Sequence, residues 1–337
     1  MPAEINVVQY TGLTEEQKED YVLSANTTTM SKGFVEEKLK LFDKNTLETA
    51  GFQSKQIDSL FALEEDTEDD FNADKEAENI KSPKTKQGDI YILGEHRLMC
   101  GDSTDKDQVA KLLDGQKADM VFSDPPYNVD YKGRKHGGIM NDNMEEDNFI
   151  LFCEDFIAAM EANLKQGGVY YLCSGFSSYT PFVYALHKAN LTVSGPIVWV
   201  KNQATLGWQD YRHKFELVIK AKNTKKKKAE YVLYGWKNGK HYFSGDRDEA
   251  DVWEFARRAG NTMVHPTQKP IPLVNKAIKM SSKRGEKVLD LFGGSGSTLI
   301  SAERTNRKAY LMELDSKYCD VIVKRWELVT GQKAKNA

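Results

Sequence analysis

The chain has 337 residues, 40% of them hydrophobic and 29% charged, with 47 Lys and Arg against 50 Asp and Glu for a formal net charge of −3 at pH 7. That length accommodates one large domain with an appendage or insert. No N-terminal signal or bilayer-length apolar run is evident, so no membrane partner is expected and the protein reads as cytoplasmic; the cysteines (100, 153, 173, 319) and six histidines lack ligand spacing, which excludes a zinc site or disulfide framework.

The first 63 residues read as a small helical segment, with helices over Leu13 to Leu23 and Val35 to Phe42 and a third after Gly51-Phe52 through Ile57, Leu60, Phe61 and Leu63. Residues 64–78 carry nine acids against the single base Lys75, and 81–87 add Pro and Lys, a composition that predicts a solvated linker over 64–87. Further on, the apolar run Met120-Val121-Phe122 breaks into Asp124-Pro125-Pro126-Tyr127. A buried strand ending in a loop is where open α/β sheets place chemistry. Two prolines make the turn rigid and remove two donors, leaving carbonyls, a carboxylate and an aromatic face. Those groups suit an exocyclic amine on a flat ring, whose N–H bonds Asp124 and the Pro125 carbonyl accept while Tyr127 stacks on the base. An ordinary strand-ending turn has the same composition.

The loop from Asn128 to Asn143 is glycine-rich and basic, with Lys132 and Arg134, and either closes over a ligand or is an ordinary surface loop. Phe149 to Leu164 predicts an amphipathic helix that Gly167-Gly168 turns into the strand Val169 to Leu172. Residues 200–270 hold fifteen Lys or Arg against eight Asp or Glu, including Lys201, Lys225, Lys226, Arg257 and Arg258, interleaved with Trp208, Tyr211, Trp236, Tyr242, Phe243 and Trp253. Such a segment faces phosphates, or Lys225 to Lys228 form a hairpin tip before the strand-like Ala229 to Tyr234. Pro270 and Pro272 support a helix through Leu273 to Ile278.

A second site lies at Val288 to Thr298, a buried-strand pattern entering the turn Gly293-Gly294-Ser295-Gly296, followed by a helix over Leu299 to Thr305. Glycines allow close backbone approach, and a helix start presents free N–H groups, so a nucleotide-like cofactor fits. Twenty residues after Gly293, the run Ala309 to Met312 ends in Glu313, the spacing at which an acid takes ribose hydroxyls. The third glycine of a dinucleotide fingerprint is missing, and no Gly-Lys-Ser/Thr of a phosphate-binding loop follows.

With Cys100-Gly101-Asp102-Ser103, Asp124 to Asn128, Trp199-Val200-Lys201, His265 to Pro270, Asp290 to Thr298 and Glu313 in that order, the chain from Gly88 onward resembles the beta-class DNA amino-methyltransferases. The resemblance implies an α/β, Rossmann-like seven-stranded sheet with helices on both faces and a permuted motif order. It implies a methyltransferase domain over 88–331, a tail over 332–337 and a target-recognition insert over 202–262. S-adenosylmethionine is the implied cofactor, held by Asp102 and Ser103 at its adenine, Thr267 and Lys269 at its methionine end, and Asp290, Phe292, Gly293, Gly294, Ser295, Gly296, Ser297, Thr298 and Glu313; Asp290 either binds the methionine amine or holds the turn. The implied substrate is an adenine N6 amine flipped out of double-stranded DNA, with cytosine N4 as the alternative and an inactive DNA-binding accessory protein as a further one. Catalysis falls to Asp124, Pro125, Pro126 and Tyr127, and DNA contacts to Lys132, Arg134, Lys201, Lys225, Lys226, Arg257 and Arg258. The resemblance also implies a homodimer, and the order of residues 21–60 resembles the tail of a ParB-like domain found in phage-type methylases.

Overall fold

A computed structural model of the chain describes residue 14 and residues 39–62, 66–130, 132–133, 137–138, 140–201, 228–244, 249–255 and 268–337. It divides into two units, 1–64 and 65–337. In the first, Asp43 caps helix α1 (Lys44–Thr49) by accepting the backbone N–H groups of Asn45 and Thr46 at 2.9 and 3.0 Å. Helix α2 (Ser54–Leu60) packs Ile57 with Leu39, Leu47, Ala50, Phe52 and Phe61. The helix expected over Leu13 to Leu23 lies outside the described residues.

The second unit is built on a sheet ordered β12-β1-β2-β11-β10-β3-β6-β8-β7-β9. Its strands are β1 (Ile90–Leu93), β2 (His96–Cys100), β3 (Ala118–Ser123), β6 (Leu164–Ser174), β7 (Thr192–Lys201), β8 (Lys228–Trp236), β9 (Val252–Glu254), β10 (Lys287–Asp290), β11 (Lys308–Glu313) and β12 (Lys335–Asn336); β4 (Lys132–Gly133) and β5 (Gly137–Gly138) form a separate ribbon. Seven of the strands, β2-β11-β10-β3-β6-β8-β7, make the expected sheet, and β1 with β12 at one edge and β9 at the other extend it to ten. From β2 to β6 every pairing is parallel, which needs helical crossovers, whereas β8 runs antiparallel to both neighbours.

Alternation along the buried strands divides the core into two faces. Val121 and Leu289 point to helices α4 (Lys106–Leu112), α5 (Glu146–Asn163) and α6 (Phe176–Lys188), while Met120, Phe122 and Val288 meet α7 (Ile271–Ser281). Helices α8 (Ser297–Arg304) and α9 (Ser316–Thr330) cover Leu98 and Leu311 on their side of the sheet.

Four boundaries differ from the sequence reading. The stretch expected to be a solvated linker, residues 64–87, belongs from residue 65 to the second unit and carries helix α3 (Ala73–Asn79), which packs on α9 through Ala73, Ala77 and Val321. Its acids find specific donors: Asp66 accepts from Asn275 and Lys279, Glu68 from the Ile271 N–H, and Asp69 from Arg325. Part of the expected target-recognition insert is scaffold, because β8 lies between β6 and β7 and Trp253 is buried against Leu273 and Ile278. The expected tail supplies β12, pairing Lys335 and Asn336 with β1. Strand β6 also begins before Gly167, since Leu164 pairs with Ala118.

Candidate active site

Four neighbouring parallel strands end on the same edge of the sheet. Register sets Glu313 beside Cys100, and Asp290 beside Leu311, and couples Leu289 to Val121. The Asp102, Glu313, Asp290 and Asp124 segments thus follow one another at the carboxyl ends of β2, β11, β10 and β3, the edge where such sheets hold ligands.

Asp124 directly follows β3. Its Oδ1 accepts the Tyr127 hydroxyl at 2.7 Å and its Oδ2 accepts Lys269 Nζ at 2.6 Å. Pro125 is buried, while Asp124 and Tyr127 are partly exposed. Burial, and then the nearby Asp124 charge, push the Tyr127 phenol well above its ordinary pKa, so it stays protonated and donates. The backbone after Tyr127 turns through two left-handed residues, Asn128 (φ 57°) and Asp130 (φ 48°), a conformation Asn and Asp tolerate best. Asn128 locks this turn by exchanging side-chain hydrogen bonds with the backbone N and O of Met144. Asp142 is 2% exposed and accepts the N–H groups of Tyr127 and Val129 at 3.1 and 3.3 Å. Gly175 lies against the tyrosine ring: a Cβ there would stand 3.0 Å from Tyr127 Cδ2.

The glycine turn joins this loop through Ser123, which sequence reasoning missed. Its hydroxyl donates to Asp290 Oδ1 at 2.9 Å and accepts the Leu291 N–H at 3.1 Å, tying the end of β3 to the end of β10. Asp290 also accepts from the Phe292 N–H and, at 2.6 Å, from Thr298 Oγ1. Burial pushes its carboxyl up to about 7 against the pull of these donors. Of the two roles open for Asp290, holding the turn is thus already filled, and Thr298 is spent on the same task. Phe292 packs edge-on against Phe152 and Phe156, and Ser297 is buried at the start of α8.

Gly293 to Gly296 form the cradle. Gly294 (φ 50°) and Gly296 (φ 83°) are left-handed, and a Cβ on Gly293 would stand 3.1 Å from Ile322 Cδ1 and 3.3 Å from the Met312 carbonyl. The Ser295 carbonyl accepts Arg325 Nη1 at 2.8 Å, and the same guanidinium makes a bidentate pair with Asp69. Opposite, Glu313 accepts the N–H groups of Gly294 and Asp315 at 2.7 and 2.9 Å. Burial raises its carboxyl to about 7 despite both bonds. Asp102 is exposed, its side chain accepting from Thr104 within its own turn, and Asp105 caps α4; Ser103 is buried beside it. A glycine turn flanked by two carboxylates, Asp102 exposed and Glu313 half-buried, offers acceptors that fit a nucleoside whose amine and hydroxyls donate.

Lys269, expected at the methionine end of the cofactor, bonds Asp124. Thr267, Arg134, Lys225, Lys226, Arg257 and Arg258 lie outside the described residues; Lys132 lies in β4 and Lys201 ends β7. Among the described residues no group of three or more His, Cys, Asp or Glu could hold a metal ion, and no helix is long and apolar enough to cross a membrane.

A family profile described as DNA methylase matches residues 118–324. The chain is 26% identical over 251 residues to the type II methyltransferase M.HinfI of Haemophilus influenzae, spanning 68% of this chain and 67% of the relative. It is 27% identical over 244 residues to the DNA adenine methyltransferase YhdJ of Escherichia coli K12, spanning 67% and 81%. In fold it is similar to M1.HpyAVI, crystallised as a SAM complex, with a TM-score of 0.50 and 20% identity over 68% of this chain and 97% of the other.

Proposed function

The chain belongs to the DNA methylase family, and on that premise we propose that it transfers a methyl group from S-adenosylmethionine to the exocyclic N6 amine of an adenine in double-stranded DNA. One observation carries the reading: the Asp124 turn and the glycine turn, far apart in the chain, end adjacent parallel strands and are bonded to each other through Ser123, which meets Asp290 across 167 positions. The adenine name of the Escherichia coli relative supports the choice of base.

The residues divide the work. Glu313 would accept ribose hydroxyls and Asp102 the adenine amine of the cofactor, with Gly293 to Ser295 admitting it closely; bound there, S-adenosylmethionine supplies an electrophilic methyl group on a sulfonium. Asp124 and the Pro125 carbonyl accept the two N–H bonds of the target amine and orient its lone pair outward, a positioning task that needs no covalent enzyme intermediate. Tyr127 offers its ring face to a base turned out of the duplex. Asp142 and Asn128 keep that loop from relaxing when the ligand arrives. Lys132, Arg134, Lys201, Lys225, Lys226, Arg257 and Arg258 are proposed to meet phosphates, and residues 1–63 to add DNA contacts or self-association.

Incubation of unmethylated genomic DNA with labelled S-adenosylmethionine, followed by digestion and mass spectrometry of the nucleosides, tests this. N6-methyladenine from the wild type and none from Asp124→Ala, with S-adenosylhomocysteine still bound by both, is the expected result. N4-methylcytosine would keep the residues' roles and change the base; full activity of Asp124→Ala would overturn the assignment of the carboxylate.

A further inference from the structure

Asp124 has a second donor that the proposed reaction does not use. Lys269 Nζ lies 2.6 Å from Asp124 Oδ2, with the lysine side chain 6% exposed, and over the Tyr127 ring, 5.5 Å from its centroid. The ammonium therefore touches both groups assigned to the target base, the acceptor and the stacking surface. It is also chemically similar to what it meets them with: an ammonium, like an exocyclic amine, is a nitrogen that only donates hydrogen bonds there. Tyr127 holds Asp124 Oδ1 at 2.7 Å and the lysine holds Oδ2 at 2.6 Å, so an N–H that approaches Oδ2 from the cleft side of the turn meets the lysine first.

We propose that Lys269 is a stand-in for the target amine, holding Asp124 and Tyr127 in their working positions until the base displaces it. The inference rests on the reading of Asp124 as acceptor of the target amine. The surroundings restrict the motion to the side chain. Pro270 follows immediately, capping α7, and Glu68 Oε1 accepts the Ile271 N–H at 2.9 Å, so the backbone is pinned on the lysine's C-terminal side. A four-carbon stem can swing away while its Cα stays fixed, and a single point donor is released more readily than a bidentate guanidinium would be. The arrangement gives Asp124 a second donor in the free enzyme, at the cost of a competitor that every target base must replace. It also separates this residue from the role its motif implies, at the methionine end of the cofactor.

The test needs the recognition site, which sequencing of genomic DNA methylated by the wild-type protein supplies. Two labelled duplexes carry that site, one with the methylated base intact and one with its analogue lacking the exocyclic amine, purine for adenine. Fluorescence anisotropy gives the affinity ratio of the pair for the full-length wild type and Lys269→Met, and calorimetry gives the affinity of each for S-adenosylhomocysteine. With the competitor gone and Asp124 short of a donor, the preference for the amine-bearing duplex should rise about tenfold, the worth of one hydrogen bond to a charged group, with S-adenosylhomocysteine affinity unchanged. Lys269→Gln, which keeps a neutral donor, should fall between the two and serves should the methionine variant fail to fold. An unchanged or reduced preference would overturn the proposal and make Lys269 a support for Asp124. Loss of S-adenosylhomocysteine binding would overturn it in favour of a cofactor ligand. Should the wild type yield no N-methylated nucleoside at all, the reading of the site falls and the proposal with it; methylation with an unmoved preference defeats the proposal alone.

Discussion

Substituting Asp69 by Ala removes one half of a buried ion pair that no local pattern announces. Arg325 is 1% exposed and Asp69 11%, and the guanidinium reaches the carboxylate at 2.8 Å through Nε and at 2.9 Å through Nη2. Removing one partner of such a pair leaves an uncompensated buried charge and costs about 3–5 kcal/mol. The lower end applies, because Arg325 keeps the Ser295 carbonyl and its contact over the Phe71 ring. At roughly 2–4 °C per kcal/mol for a domain of this class, the midpoint should fall by roughly 6–12 °C. All five tryptophans, Trp199, Trp208, Trp236, Trp253 and Trp326, lie in the 65–337 unit, so their fluorescence during thermal or urea unfolding reports on that unit alone. The double variant Asp69→Ala/Arg325→Met, which buries no charge, should be less destabilised than the two single losses added together, by about 1–3 kcal/mol. A loss below about 0.5 kcal/mol in Asp69→Ala, the range of ordinary surface substitutions, would show that residues 66–70 are a solvated linker after all and would remove the account of Arg325.

The Glu313 carboxyl, raised to about 7 from an ordinary 4.5, retains a proton in the folded chain that the unfolded chain has lost. Its cost to stability is absent below the unfolded pKa, grows from pH 4.5 to about 7 and is complete above. Donation from ribose hydroxyls favours the ionised form, so S-adenosylhomocysteine affinity, measured by calorimetry, should rise from about pH 6 to pH 8, and Glu313→Gln should flatten that slope. Ser123→Ala orphans the buried Leu291 N–H and removes a donor from Asp290, and should cost about 1–3 kcal/mol in urea unfolding. Asp142→Ala frees the Tyr127 and Val129 N–H groups and should lower kcat about tenfold or more with S-adenosylhomocysteine affinity unchanged; an equal loss of both would mean that the loop supports the cofactor site too.

What could be read from the sequence was what repeats locally. Strands β3, β10 and β11 were legible because each is a continuous apolar run ending in a turn signal, and α5 and α7 because their apolar spacing and flanking residues agree. The glycine turn was legible for the same reason. Its supports were not: Arg325 meets Asp69 across 256 positions, and Ser123 meets Asp290 across 167, separations at which no periodicity carries information. Acidic composition reads as solvation only while its partners are unknown, and residues 66–69 have theirs on α7, α8 and α9. Strand β8 was legible over Ala229 to Tyr234, but its place between β6 and β7 was not, because the lysines preceding it drew it into the reading of an insert. Lys269 illustrates a further limit, since its motif specifies the residue and not which of two neighbouring carboxylate or cofactor groups it meets.

These contacts share a consequence for binding. In the described structure the acceptors assigned to ligands are already bonded: Asp124 to Tyr127 and Lys269, Glu313 to Gly294 and Asp315, Asp290 to Ser123, Phe292 and Thr298. Where one of these partners must leave, a ligand exchanges hydrogen bonds, and its net gain is smaller than the bond it forms. The three acids differ in what they can give up. Asp290 bonds three groups of its own turn and cannot release them without opening the cradle. Glu313 holds two backbone donors on one carboxylate and has lone pairs to spare for hydroxyls without losing either. Asp124 alone is held by a side chain on a long flexible stem, so of the three it is the one whose partner can leave while the backbone stays still. Selectivity for the target is then expected to reside in that single exchange, with the cofactor turn behaving as a rigid seat.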